Sequence, residues 1–192
     1  PYTEILPKPL LPIGNKSAIR HILENFNVYK PKNFYISVNY KSGILKTYLN
    51  EIKKKFKINL INEKKPLGTA GSLFFLKNKI KGDFFLTNCD TIINTNLSTI
   101  FKYHKKNNND ITLVTTKKLF SIPYGVCKFK NKKFYFEEKP TFNFNINTGL
   151  YLINSNILSL IKTPHHLDFN HLLSLAVKTN KKVNFYQIKD KE

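Results

Sequence analysis

The feature that most constrains this chain is a repeated change in the period of its apolar residues, from helical to extended and back. Residues 17–26 carry Ala18, Ile19, Ile22, Leu23 and Phe26 at helical spacing. Residues 42–56 repeat the pattern with Ile44, Leu45, Tyr48, Leu49, Ile52 and Phe56. Between them, residues 33–39 (NFYISVN) are short, aromatic and β-branched, which predicts a buried strand. The runs KINLIN (57–62), DFFLTN (83–88) and DITLVTT (110–116) follow, separated by helical stretches near 69–76 and 97–106. Alternation of this kind implies parallel β-α-β crossovers and a sheet covered on both faces.

After residue 120 the rhythm changes. Residues 124–130 and 133–138 are joined by only Asn131 and Lys132, which predicts a hairpin. Residues 146–154 form another strand, 168–179 (DFNHLLSLAVKT) a helix opened by Asp168 as its cap, and 183–188 a final strand. The tract KKNNN at 105–109 reads as a polar loop, and there is no internal repeat. The domain is mixed α/β.

Composition narrows the function classes. The 192 residues suit one domain, and 41% hydrophobic residues supply a core, which excludes disorder as the main state. Thirty-two Lys and Arg against 12 Asp and Glu leave a net charge of +20. Yet Arg20 is the only arginine and the lysines are dispersed, so the charge reads as a solvated surface and not as a sequence-reading nucleic-acid interface. No apolar run approaches the roughly 18 residues of a membrane helix, and residues 1–12 lack the order of a signal peptide, so a cytoplasmic protein without a membrane partner is expected. Cys89 and Cys127 are too few for a disulfide framework and read as reduced thiols. His165 and His166 lack a third metal ligand at suitable spacing and read as loop residues.

In an open α/β sheet, ligands gather at the carboxyl ends of strands, and three segments there carry chemistry. The first is PLGTAGS (66–72), following Glu63, Lys64 and Lys65. Gly68 and Gly71 permit close backbone approach, and amides at a helix start favour a negative or carbonyl partner; a plain turn would need only one such glycine. The second is TNCD (87–90), where Asp90 either binds a metal-phosphate or caps the turn that follows. Cys89 beside it reads as a small residue at a crowded strand end. The third is EEKP (137–140) with Asn147, Thr148 and Gly149, where acid and base side by side suit sugar hydroxyls and a phosphate, or merely end a surface strand.

Taken in order, YTEILPKPLL (2–11), PIGNK (12–16), PLGTAGSL (66–73), NCD (88–90), YGV (124–126), EEKP (137–140) and NTGLYL (147–152) closely resemble the sugar-1-phosphate nucleotidyltransferase family across the whole chain. Within it, PYTEILPKPL, NCD and SIPYGV are similar to bacterial hexosamine-1-phosphate guanylyltransferase-like members that carry CBS repeats. The resemblance implies a three-layer α/β/α Rossmann-like fold with a mixed, mostly parallel sheet and a β-hairpin in its second half. Residues 1–192 would be one domain, with a nucleotide-binding half (1–120) and a sugar-phosphate-binding half (121–192). It implies Mg²⁺-dependent transfer of a nucleotidyl group from an NTP (GTP, dTTP, UTP or CTP) to a sugar 1-phosphate, giving an NDP-sugar for surface-glycan synthesis and pyrophosphate, in a chain that forms homo-oligomers.

Position by position, the resemblance assigns Lys8 to the nucleotide phosphates. Glu63, Pro66, Leu67, Gly68, Thr69, Ala70 and Asn88 would hold the nucleotide, with the Gly68 backbone against the base. Asp90 would bind Mg²⁺, and Gly125, Glu138, Lys139, Asn147 and Thr148 would line the sugar-phosphate pocket. Catalysis would rest on Lys8, Asp90 and Lys139, because two anions must be brought together. Two family segments have no counterpart: the GGxGxRL loop normally just before the place of Pro1, and a later Asp-Ile-Gly segment with a second metal-binding Asp. The resemblance therefore implies a domain incomplete at both ends, with unpaired strands beside the gap. Cys89 stands where many relatives have Gly. A non-catalytic subunit that keeps the fold, and a basic polyanion-binding protein, are the alternatives.

Overall fold

Burial of the helical stripes against the extended runs sets the architecture, which a computed structural model describes for residues 6–39 and 42–189. Helix α1 (Ala18–Asn27) turns Ala18, Ile19, Ile22 and Leu23 inward. It follows a short antiparallel pair, β1 (Pro12–Ile13) and β2 (Lys16–Ser17), and a single 3₁₀ turn at Lys8–Leu10. Strands β3 (Phe34–Val38) and β4 (Ile58–Asn62) pair in parallel, joined by α2 (Ser42–Ile52) as the crossover. Ile19, Leu23, Val38, Leu45, Leu49 and Phe56 close one core over this unit.

A four-stranded sheet carries the rest, in the order β10 (Val183–Ile188), β6 (Ile111–Ser121), β9 (Thr141–Asn154), β5 (Asp83–Thr87). Strand β9 lies antiparallel to both β5 and β6, and β10 lies parallel to β6, so three strands share one direction and β9 opposes them. Helices α4 (Leu97–Lys106) and α5 (Phe169–Lys178) pack on this sheet. Ile100, Val114, Leu150 and Leu152 lie in one core, and Ile111, Ile153, Ile157, Leu158 and Leu172 in another, all essentially inaccessible to solvent. Among the described residues β3 has only β4 as a strand partner and β5 only β9. No helix among those residues is long and apolar enough to cross a membrane.

Two local expectations are revised and a third holds. The stretch predicted as a helix at 69–76 is one α turn, α3 (Gly68–Gly71), followed by a 3₁₀ turn at Ser72–Leu76. Two glycines weaken a regular helix, and the first turn is tied to a distant segment described below. Strands β6 and β9 are longer than the apolar runs at 110–116 and 146–154. Beyond the core they pair on as an exposed ribbon, from Lys117 opposite Asn145 to Ser121 opposite Thr141, where backbone pairing needs no apolar alternation. The predicted hairpin is β7 (Val126–Lys130) and β8 (Lys133–Glu137). Asn131 and Lys132 both take positive φ (51° and 62°), as a two-residue turn of the primed type requires.

At the end of the sheet away from the candidate site, Asp83 and His104 form a buried polar pair, each with a side chain only 1% exposed. Asp83 accepts from Asn154 at 2.8 Å and pairs with Lys105, while His104 Nδ1 meets the Thr112 hydroxyl at 2.8 Å. Burial, opposed by Asp83, holds the His104 imidazolium below its ordinary value. For Asp83, burial alone would raise the carboxyl, but Lys105 and Asn154 outweigh it and hold it lower. The unfolded chain therefore binds more protons than the folded one as pH falls below 6.5. Conformational stability should decline from pH 7.5 to 5.5 in urea titrations, and His104→Gln should flatten that decline. An equal slope in the variant would place the loss elsewhere.

Candidate functional site

The carboxyl end of β5 opens into the turn that carries Asn88, Cys89 and Asp90. Asn88 donates its backbone N–H to the Gly149 carbonyl at 3.0 Å, which ties this turn to the bulged stretch Asn147, Thr148, Gly149 of β9. The contact needs a glycine: an ideal Cβ on Gly149 would lie 2.6 Å from Asn88 Nδ2, and Gly149 has φ +82°. In the same stretch Asn147 donates to the Tyr151 hydroxyl at 2.5 Å and its Oδ1 accepts from Gly149 N–H at 3.1 Å. Thr148 donates to the Val114 carbonyl at 2.9 Å. The register of β9 against β6 shifts here, between Leu113 and Thr115, which lets these residues leave the regular ladder.

Lys8, in the first described turn of the chain, reaches Asp90: its Nζ lies 4.0 Å from Asp90 Oδ2, and both side chains are half exposed or more. An exposed pair at this distance contributes little to stability, so it matters as a place where a cation and an anion face one opening. Among the described residues no group of three or more His, Cys, Asp and Glu could hold a metal by itself. One accessible carboxylate nonetheless suits Mg²⁺, which takes one or two carboxylates and fills its octahedron with water and substrate phosphate. The Cys89 thiol is pushed up, by the protein packed behind it and then by the charge of Asp90, so it is a poor nucleophile at neutral pH.

The segment 66–70 follows β4, and Glu63 braces it. The Glu63 carboxylate accepts from Leu67 N–H at 2.9 Å on one oxygen and from the Ser37 hydroxyl on the other. Gly68 has φ +71°, and an ideal Cβ there would sit 2.7 Å from Asp168 Oδ1 and 2.8 Å from the Leu167 carbonyl oxygen. Its lack of a side chain is thus demanded by the chain's own packing, which revises the reading that a turn alone, or a ligand alone, explains the residue. Substitution at Gly68 disturbs the fold as well as any ligand. Asp168 was expected to cap its own helix; its carboxylate instead reaches Thr69 N–H at 3.4 Å, and α5 has no side-chain cap from it.

Gly125, Glu138 and Lys139 group at the outer end of the ribbon, where an ideal Cβ on Gly125 would come 3.0 Å from Glu138 Oε2. Lys139 takes φ +46°, uncommon for a residue with a side chain. No hydrogen bond or ion pair joins them to Asn147, Thr148 or Asp90 among the described residues, so the five sugar-phosphate candidates fall into two groups. The long β9 strand separates the groups, with Thr141 opposite Ser121 and Asn147 opposite Thr115. Ser37 and Asp168 were absent from the sequence-derived site, because each acts on it through a partner far along the chain, Glu63 and Thr69 respectively.

The family model described as nucleotidyl transferase matches residues 1–191. A mannose-1-phosphate guanyltransferase from Yarrowia lipolytica is 34% identical over 171 residues, covering 84% of this chain and 47% of that protein. The chain thus spans about half the length of the relatives it matches. HddC from Yersinia pseudotuberculosis, crystallised with GMP-PN, superposes with a TM-score of 0.72 at 19% identity, covering 95% of this chain and 81% of that one. The inositol-1-phosphate CTP transferase from T. maritima does so with a TM-score of 0.68 at 16% identity, over 96% and 78% of the two chains. At these identities the solved structures establish the fold.

Proposed function

Because the chain belongs to the nucleotidyl transferase family, we propose that it transfers a nucleotidyl group from an NTP to a sugar 1-phosphate. The observation that carries the reading is the meeting of Lys8 and Asp90 at the carboxyl end of β5, 4.0 Å apart and beside the Asn147 to Gly149 stretch of β9. In this reaction a phosphate oxygen of the sugar phosphate bonds to the α-phosphorus, the bond from that phosphorus to the β-phosphate bridging oxygen breaks, and pyrophosphate leaves. The attacking phosphate is already ionised, so positioning and charge neutralisation matter more than a general base.

Lys8 supplies positive charge to the triphosphate. The 66–70 loop holds the base, with Glu63 bracing it, and Asn88 lies between base and phosphates. Asp90 would hold a divalent ion, Mg²⁺ in this proposal, which when bound neutralises the phosphates. Asn147 and Thr148 face the sugar phosphate, and Gly125, Glu138 and Lys139 are assigned to it from the ribbon's outer end. GTP is the first nucleotide to test, since the Yarrowia relative is a guanyltransferase.

The test is pyrophosphate release from GTP and mannose 1-phosphate with Mg²⁺, then with dTTP, UTP and CTP and with glucose 1-phosphate. Release that needs both substrates and the metal is expected with at least one pair. Absence of NTP binding, together with DNA binding that weakens steeply with salt, would replace this reading with polyanion binding.

A further inference from the structure

The helix start at Phe169 and the loop at 66–70 cap each other across the molecule. The Thr69 hydroxyl accepts from Phe169 N–H at 2.8 Å, filling the place that the α5 cap residue leaves empty. In return, Asp168 Oδ1 accepts from Thr69 N–H at 3.4 Å. The Leu167 carbonyl takes both Ala70 N–H (2.9 Å) and Gly71 N–H (3.1 Å), and Leu167 N–H donates to the Leu67 carbonyl at 2.9 Å. Gly68 and Gly71 fit only because they have no Cβ. Ideal Cβ atoms there would meet Asp168 and Leu167, and the His165 carbonyl oxygen at 2.4 Å, respectively. The first turn of the loop thus uses its amides on this neighbouring segment and not on a ligand.

We infer that Thr69 and Asp168 are positioning residues that seat the 66–70 loop on the start of α5 and so set where that loop meets the nucleotide base. The inference rests on the proposed role of the loop in holding the base. It adds that the geometry is fixed from a segment 99 residues away in sequence, and that Asp168 acts through Thr69 without touching the substrate. Glu63 and Ser37 hold the loop's beginning while Asp168 and Leu167 hold its middle, so the loop is braced from two sides. Hydrogen bonds at two points of a short loop restrict it more than either would alone.

The test compares wild type with Asp168→Ala, Asp168→Asn, Thr69→Val and Thr69→Ser. Amide hydrogen exchange is measured on the ligand-free whole chain, and GTP affinity and the KM values for GTP and sugar 1-phosphate with Mg²⁺ present. Asp168→Ala and Thr69→Val should speed exchange at Thr69, Ala70 and Gly71 and weaken GTP binding by about tenfold, the size of one net hydrogen bond. The KM for sugar 1-phosphate should stay unchanged. Asp168→Asn and Thr69→Ser, which keep the acceptor, should restore both values. Local exchange unchanged in Asp168→Ala, or a general loss of stability with full GTP affinity per folded molecule, would overturn the inference. If wild type binds no NTP, the functional reading fails by itself, while the exchange comparison still decides whether Asp168 seats the loop.

Discussion

Replacing Asp90 by Asn lowers the turnover of the proposed nucleotidyl transfer by at least about 10²-fold, the scale of removing one preorganised charged group from a phosphoryl site. The substitution keeps the side chain's size and its ability to accept a turn hydrogen bond, and removes only the charge that a hard cation needs. Asp90 is half exposed and its ion pair with Lys8 is long, so the folded state should lose almost nothing. Melting temperature measured beside pyrophosphate release separates the two. A variant with full turnover would make Asp90 a turn residue and dissolve the proposed phosphate site.

Gly149→Ala should be a damaging single-methyl change beside Asp90. Gly149 has φ +82°, and the added carbon would lie 2.6 Å from the Asn88 amide nitrogen. Gly82 offers an internal control, since it has the same φ with nothing within 4 Å of its ideal Cβ. Gly82→Ala therefore measures conformational strain alone, on the order of 1–3 kcal/mol. Gly149→Ala should cost more than that, and the excess measures how firmly Asn88 is lodged. Because Asn88 leads into Asp90, turnover per folded molecule should also fall. Equal losses in stability for the two variants, with full turnover in Gly149→Ala, would show that Asn88 simply moves aside.

The elements were legible where local period decides them. Ile19, Ile22 and Leu23 announced a helix and FYISV a strand, because each pattern follows from the one face it buries. The two-residue link Asn131 and Lys132 fixed the hairpin without help from the core. What stayed hidden was the extent of β6 and β9, since residues 117–121 and 141–145 pair in solvent, where no apolar alternation marks the strand. In the site, the resemblance assigned Lys8 and Asp90 to the same phosphates, and the two side chains lie 4.0 Å apart. It assigned Glu138, Lys139 and Asn147 to one pocket, and how far the ribbon sets the first two from the third was not legible, because a family motif carries no information on strand length. The role of Asp168 was illegible for a different reason. An Asp before a helix looks like a cap for that helix, and only the tertiary fold shows that Thr69 has taken over the task.

The threading of β9 between β5 and β6 also has a meaning in time. Asp83 waits for Asn154 and Ile111 for Ile153 before either strand finds its first partner, whereas β3 and β4 meet across a single helix. Contacts so distant in sequence close late, after the entropy of long loops has been overcome. At synthesis rates of about 5–20 residues per second, β5 spends several seconds on the ribosome without a neighbour. During that interval Phe84, Phe85 and Leu86 are bare, and the turn that will carry Asp90 has no Gly149 to rest on. The candidate site is therefore one of the last parts of the molecule to come into being, and a chaperone that shields residues 83–87 should raise the yield of folded protein more than any change within the β3–β4 unit.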